Sequence, residues 1–151
     1  NNEYSMGTAV NRGCSNPKKL YTRGEPYGIE GRQVDGMNFL AVYEAVKKAA
    51  DEIRATQQPI FLEMKTYRYR GHSMSDPAKY RDKEEVNKYK DSKDPIMQMQ
   101  NYLMKKKKLK ESEFEKMEAD IVKIVKASVE FAEASPLPDE SELMTEIYTQ
   151  E

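Results

Sequence analysis

Tryptophan is absent from the chain, and cysteine and histidine occur once each, as Cys14 and His72. A lone cysteine closes no internal disulfide, which excludes a disulfide-built secreted scaffold and makes a reducing compartment the simpler setting. Cys14 has no second cysteine and no neighbouring histidine, so neither a zinc site nor an activated thiol is indicated there. Charge of one sign is also missing. Lys and Arg total 25 against 26 Asp and Glu, for a net charge of −1. A generally basic nucleic-acid binder is therefore not indicated. No apolar run approaches the ~20 residues needed to cross a bilayer, so no membrane association is expected. No signal peptide opens the chain.

What is present is a chain of 151 residues, a length that suggests one domain. It is enough for a single core, but short for separate cofactor and substrate domains. It begins Asn-Asn-Glu-Tyr without an initiator methionine, and 34% of its residues are charged. Both features lead us to expect a piece of a longer chain, with faces made for partners not included in it.

Residues 1–30 are rich in Gly, Asn and Pro and hold no steady period, which reads as loop. From Asp35-Gly36 a helical period begins. Phe39, Val42, Tyr43, Val46, Ala49, Ala50 and Ile53 form one apolar stripe. A helix is expected over about 36–55, capped by Asp35 and facing a core. Ile60 to Tyr67 reads as a strand, apolar at first and then alternating, of the kind covered on both faces. A helix feeding a buried strand suggests a parallel βαβ unit, whose first strand is Ile29–Val34 or lies before residue 1.

The rest reads as helical. Asp82 caps a short helix with Glu84 and Glu85 in its first turn, and Asp94-Pro95 opens another. Ser112 and Glu115 form a capping box for a helix running to about Ala134. Pro136 and Pro138 end it, and Leu143–Thr149 reads as a short strand or an extended tail. The nine methionines fall mostly at helix-face positions and read as core filler.

Between strand and helices lies a polar loop, Arg68 to Pro77, at the carboxyl end of the strand, where open α/β sheets bind ligands. His72 can move protons or bind an anion there, or it is a plain exposed loop histidine. Arg68 and Arg70 share a side if the chain is extended, which suits phosphate, or they simply carry charge into solvent. Ser73, Ser75 and Asp76 can meet a phosphate or only turn the chain before Pro77. Asn1, Asn2 and Tyr4 offer oxygens suited to a hard cation such as Mg²⁺, though Asn-rich turns are common. Lys105 to Lys108 reads as the solvated end of a helix rather than as a docking face.

The string Tyr67-Arg-Tyr-Arg-Gly-His-Ser-Met-Ser-Asp-Pro-Ala-Lys-Tyr-Arg81 closely resembles the phosphorylation-loop segment of the alpha subunits of thiamine-diphosphate-dependent pyruvate dehydrogenases. Three further stretches agree in order. Asn1 to Thr8 is similar to the end of that family's GDG…NN cofactor motif, Gln33-Val-Asp-Gly36 to its VDGM segment, and Ser92-Lys-Asp-Pro-Ile96 to its KxDPI helix start.

The resemblance implies a three-layer α/β, thiamine-diphosphate-binding fold, of which residues 1–151 would be the C-terminal part of a single domain. It implies decarboxylation of pyruvate and transfer of the acetyl group to lipoamide, with thiamine diphosphate and Mg²⁺ as cofactors. Asn2 would bind Mg²⁺ by its side chain and Tyr4 by its backbone carbonyl. The third ligand, the Asp of Gly-Asp-Gly, would lie upstream of Asn1. Arg68, His72 and Ser73 would face the cofactor, with His72 as the catalytic group and Ser73 matching a regulatory serine. A beta subunit, in a heterotetramer, would supply the glutamate that activates the cofactor. The acetyl acceptor would be a lipoyl-bearing acetyltransferase component. Ala78, Lys79 and Ala9 stand where mitochondrial relatives have further regulatory serines. That favours a bacterial, cytoplasmic enzyme over one of the mitochondrial matrix. This stretch alone is expected to be inactive. The competing readings are a branched-chain oxoacid or acetoin dehydrogenase alpha subunit, and a non-catalytic helical interaction module using Lys105–Lys108.

Overall fold

The computed structural model describes residues 1–149, which form an α/β chain in two compact units, one spanning Asn1–Lys105 and the other running on from Lys106. The first unit opens with a minimal antiparallel hairpin, β1 (Tyr4–Ser5) and β2 (Thr8–Ala9), and a single turn of helix, α1 (Val10–Gly13). A 3₁₀ segment follows over Pro17–Tyr27, entered through Asn16 and left through Gly28, both in the left-handed region. The stretch expected to be loop thus carries short elements. Local turn residues make them, and hydrophobic period does not.

β3 (Glu30–Asp35), α2 (Phe39–Thr56) and β4 (Ile60–Lys65) form the parallel βαβ unit, with Glu30 opposite Ile60 and Asp35 opposite Lys65. Gly31 is required in β3, because a Cβ there would lie 1.7 Å from the Tyr21 carbonyl oxygen. The Asn1 nitrogen donates to the Met64 carbonyl oxygen at 3.0 Å, and the Asn1 carbonyl accepts from Thr66 N–H at 2.8 Å. This is the two-bond pattern of a parallel ladder, so Asn1 lies along β4 on a second edge.

The cap of α2 is Asn38 rather than Asp35. Asn38 Oδ1 accepts from Ala41 N–H at 3.2 Å, while Asp35 Oδ1 is taken by Met37 N–H at 3.0 Å. Asp35 turns the chain and Asn38 starts the helix. The helix ends at Gln57, at φ 58°.

Of the expected apolar stripe only Ala49 is buried, while Phe39, Tyr43, Val46 and Ile53 are exposed. Strand β4 is likewise not covered on both faces, since Phe61 is exposed and Glu63 is its one buried residue. One helix and two paired strands have too little apolar surface to cover each other's faces. The methionines are not core filler either. Met37 is buried, but Met6, Met74, Met97, Met117 and Met144 are exposed.

Two helices close the unit, α3 (Lys83–Lys93) and α4 (Pro95–Lys105). Asp82 precedes α3 as expected, though its side chain makes no capping bond. Asp94 does cap α4, its Oδ1 accepting from Ile96 N–H at 2.9 Å and Met97 N–H at 3.2 Å. Lys105 to Lys108 are exposed.

The second unit contains α5 (Glu111–Ala134) and a 3₁₀ turn over Glu140–Met144. The capping box of α5 is not Ser112 with Glu115. The helix starts earlier, and Glu113 reaches back to accept from Lys110 N–H at 2.8 Å. The strand considered over Leu143–Thr149 does not form. Asp139 caps the 3₁₀ turn through Ser141 N–H at 2.9 Å, and bends follow to Tyr148. Among the described residues no helix is long and apolar enough to cross a membrane.

Candidate functional site

The site begins where β4 ends. After Lys65 the chain runs through Thr66, Tyr67 and Arg68 into the polar loop, which returns to α3 at Arg81-Asp82. The β1–β2 hairpin lies against this exit. Arg68 Nη2 donates to the Met6 carbonyl oxygen at 2.6 Å, and its guanidinium sits 5.5 Å from the centre of the Tyr4 ring. The same Nη2 donates to the Tyr80 hydroxyl at 2.7 Å.

Tyr80 in turn donates to Asp76 Oδ2 at 2.7 Å. That oxygen also accepts from the His72 backbone N–H at 2.7 Å, and Oδ1 accepts from Ala78 N–H at 2.8 Å. These bonds, the His72 N–H foremost, lower the Asp76 carboxyl to about 2. Gly71 permits the turn, since a Cβ there would lie 2.6 Å from the Asp76 carbonyl oxygen. A continuous network thus runs from the hairpin through Arg68, Tyr80 and Asp76 to the backbone of His72. The His72 and Ser73 side chains are exposed, and Ser73 Oγ pairs with Ser75 Oγ at 3.1 Å.

A second set of contacts ties the ends of the loop together. Arg81 donates to the carbonyl oxygens of Arg68, Tyr69 (2.8 Å) and Arg70 (2.9 Å). Its guanidinium lies 5.2 Å from the Tyr4 ring centre and 5.4 Å from that of Tyr67. Tyr67 is buried and stacks on Tyr89 of α3 at 3.9 Å. The hydroxyls of Tyr4 and Tyr67 both donate to Glu85 Oε1, at 3.0 and 2.8 Å. Burial first, and then Glu85, raise the Tyr67 phenol above its ordinary value, so it stays a donor.

Of the two expected cation ligands, Tyr4 lies in the hairpin and Asn2 just ahead of it. Asn2 Oδ1 accepts from Tyr4 N–H at 3.2 Å, which folds the amide oxygen over the Tyr4 backbone. Among the described residues no group of three or more His, Cys, Asp or Glu is placed to hold a metal. The oxygens on offer are therefore neutral, from an amide and a carbonyl. Such a set fits a hard cation that brings phosphate oxygens of its own. The Arg68 Nε–H is buried without a partner, leaving cationic capacity beside the hairpin. The residues present thus fit a cation–diphosphate group.

Glu63 of β4 is 5% exposed. Its Oε1 accepts from Asn1 Nδ2 at 2.7 Å, and its Oε2 from Tyr21 N–H at 3.0 Å and Gln33 Nε2 at 3.1 Å. Burial pushes the Glu63 carboxyl up, but the bonds from Asn1, Gln33 and Tyr21 outweigh it, and it lies below its ordinary value.

The structure therefore joins Asn2, Tyr4 and Arg68 directly, and joins the His72 backbone to them through Asp76 and Tyr80. Sequence reasoning gave no role at the site to Glu63, Tyr80 or Arg81, and gave Glu85 only a place in the first turn of a helix. A charged residue inside an apolar strand was the available signal for Glu63. For Tyr80-Arg81 it was an aromatic–cation pair mirroring Tyr67-Arg68 at the other end of the loop.

Comparison with known proteins identifies the family. The family model described as "Dehydrogenase E1 component" matches residues 1–141. A protein of Rickettsia bellii named pyruvate dehydrogenase E1 component subunit alpha is 51% identical over 98% of this chain. The protein of the same name from Rhizobium meliloti is 48% identical over 97%. The chloroplastic alpha-3 subunit of Arabidopsis thaliana is 38% identical over 98%. The chain spans 45% of the Rickettsia protein, 42% of the Rhizobium protein and 34% of the Arabidopsis protein. With the family model matching nearly its whole length, the chain belongs to the dehydrogenase E1 component family.

Proposed function

We propose that this chain is part of the alpha subunit of a bacterial, cytoplasmic pyruvate dehydrogenase, within a three-layer thiamine-diphosphate-binding fold. It forms a single domain with sequence outside the stretch described. The enzyme decarboxylates pyruvate and passes the acetyl group to lipoamide, working with a beta subunit and a lipoyl-bearing acetyltransferase component. The observation that carries this is the bond from Arg68 to the Met6 carbonyl, which links the loop to the hairpin of Tyr4, against which Asn2 folds.

Asn2 Oδ1 and the Tyr4 carbonyl would hold Mg²⁺, and Arg68 would balance the charge of the diphosphate. Bound thiamine diphosphate supplies the carbon nucleophile and the electron sink for decarboxylation. The Ser73 hydroxyl would be available as a donor to the diphosphate. His72, on the exposed side of the loop, moves a proton through an imidazole nitrogen at the reacting centre. Asp76, by taking the His72 N–H, ties down the backbone that carries that imidazole.

The test is acetyl transfer to lipoamide by the complete alpha chain with its beta chain. Pyruvate turnover dependent on thiamine diphosphate and Mg²⁺ is the expected result. Faster turnover of a branched-chain oxoacid or of acetoin would overturn the substrate assignment.

A further inference from the structure

We propose that Glu63 is a positioning residue for the cation-binding turn, acting on Asn2 and Tyr4 through the side chain of Asn1. The inference rests on the reading of Asn2 and Tyr4 as ligands of the divalent cation.

Three donors converge on the Glu63 carboxylate, and Asn1 Nδ2 is the one that belongs to the turn. With its NH₂ group held on Glu63, Asn1 must aim Oδ1 the other way. It accepts there from Glu3 N–H at 3.0 Å. Glu3 adopts φ 68°, a left-handed backbone that costs a non-glycine residue energy and needs support from its surroundings. That turn brings Asn2 Oδ1 onto Tyr4 N–H.

Lys65, on the same face of β4 as Glu63, holds the turn from the other side. Its Nζ lies 2.6 Å from Glu3 Oε1. Two alternate residues of the strand thus grip two alternate residues of the turn, Asn1 and Glu3.

The chemistry of the carboxylate is specific. All three partners are donors, so two acceptor oxygens are needed. In Glu63→Gln the side-chain oxygen must face Tyr21 N–H, because a backbone amide cannot flip. The new NH₂ then faces Asn1, whose amide must turn over to present Oδ1. Glu3 N–H loses its acceptor, and the left-handed turn loses its support. Asn1→Asp in the same background restores the pattern, one oxygen accepting from Gln and the other from Glu3 N–H. Asn1→Asp alone sets two carboxylates against each other.

The experiment titrates Mn²⁺ into the complete enzyme with thiamine diphosphate present, reading free Mn²⁺ by electron paramagnetic resonance. Glu63→Gln and Asn1→Asp should each raise the half-saturating Mn²⁺ concentration about tenfold or more, the usual effect of losing a group that orients a ligand. The double variant should return to within about threefold of wild type. Glu63→Gln binding Mn²⁺ like wild type, while Asn2→Ala binds it weakly, would overturn this inference alone. A double variant no better than the worse single would do the same. Asn2→Ala with unchanged Mn²⁺ affinity would overturn the ligand reading and this inference with it. If Glu63→Gln fails to fold, the double variant still decides: tight Mn²⁺ binding supports the clamp, and a folded double variant with weak binding overturns it.

Discussion

Arg81, where the loop ends, donates through Nη2 to the carbonyl oxygen of Tyr69, where it begins, at 2.8 Å. The same guanidinium takes the carbonyls on either side, Arg68 and Arg70. One side chain therefore satisfies the backbone of the strand exit and closes the loop upon itself. The loop owes its shape to few groups, and each can be removed singly.

Arg81→Met keeps the apolar stem of the side chain against Tyr4 and Tyr67 and removes the donors. Hydrogen bonds from a charged group contribute about 1.5–3 kcal/mol each when fully formed, and Arg81 is half-buried, so we expect a local loss of about 2 kcal/mol. That is roughly a thirty-fold rise in opening. Hydrogen exchange over residues 68–72 of the complete protein should accelerate by that order while α2 is unaffected. Arg81→Lys should recover only part of the protection, because a point charge cannot span a row of carbonyls. Unchanged exchange in Arg81→Met would show that the loop is held by other means.

Asp76 makes the loop sensitive to acid. Its carboxyl lies at about 2 rather than at the ordinary 3.8, chiefly through the His72 N–H and then through Tyr80 and Ala78. A lowered value in the folded state means that the ionised form is the one the loop holds. The stabilisation is complete above 3.8 and is lost as pH falls through about 2. At neutral pH, Asp76→Asn should speed exchange of the His72 and Ala78 amides, since its NH₂ group turns a donor toward donors. In the wild type the same amides should hold their protection down to about pH 4 and lose it below. Protection unchanged in Asp76→Asn would remove Asp76 from the account of the loop.

The βαβ unit was legible because its signals are local. The helical period of residues 39–53 and the apolar run from Ile60 depend on nothing elsewhere in the chain. Caps were less legible, since Asp35 and Asn38 are equally good acceptors. Their roles separate only once Met37 N–H has claimed Asp35. Burial was misread for a different reason: period tells which face is apolar, not whether the chain supplies a cover for it, as Phe39 and Tyr43 show. At the site, the ligand-like residues of the hairpin and loop could be picked out by type and by the resemblance of their motifs. The residues that hold them could not. Glu63 meets Asn1, and Glu85 meets Tyr4, across long stretches of sequence, and only the folded sheet brings them together.

His72 separates the catalytic reading from a plain one. Its backbone N–H is committed to Asp76, and its side chain is exposed, so replacing the imidazole leaves the loop's bonds in place. His72→Ala should therefore change stability by no more than ~0.5 kcal/mol, as for an ordinary surface substitution. Turnover of pyruvate to acetyl-lipoamide in the complete enzyme should nevertheless fall by roughly 10²-fold or more, the loss typical of an acid–base group. Arg68→Ala should behave differently. It takes away the donor to Met6 and Tyr80, so the concentration of thiamine diphosphate needed for half activity should rise, and stability should fall with it. On the proposed reading, the pair of variants separates a group that would act on the reacting atoms from one that would hold the cofactor. Wild-type turnover in His72→Ala would withdraw the first role, and an unchanged cofactor requirement in Arg68→Ala would withdraw the second.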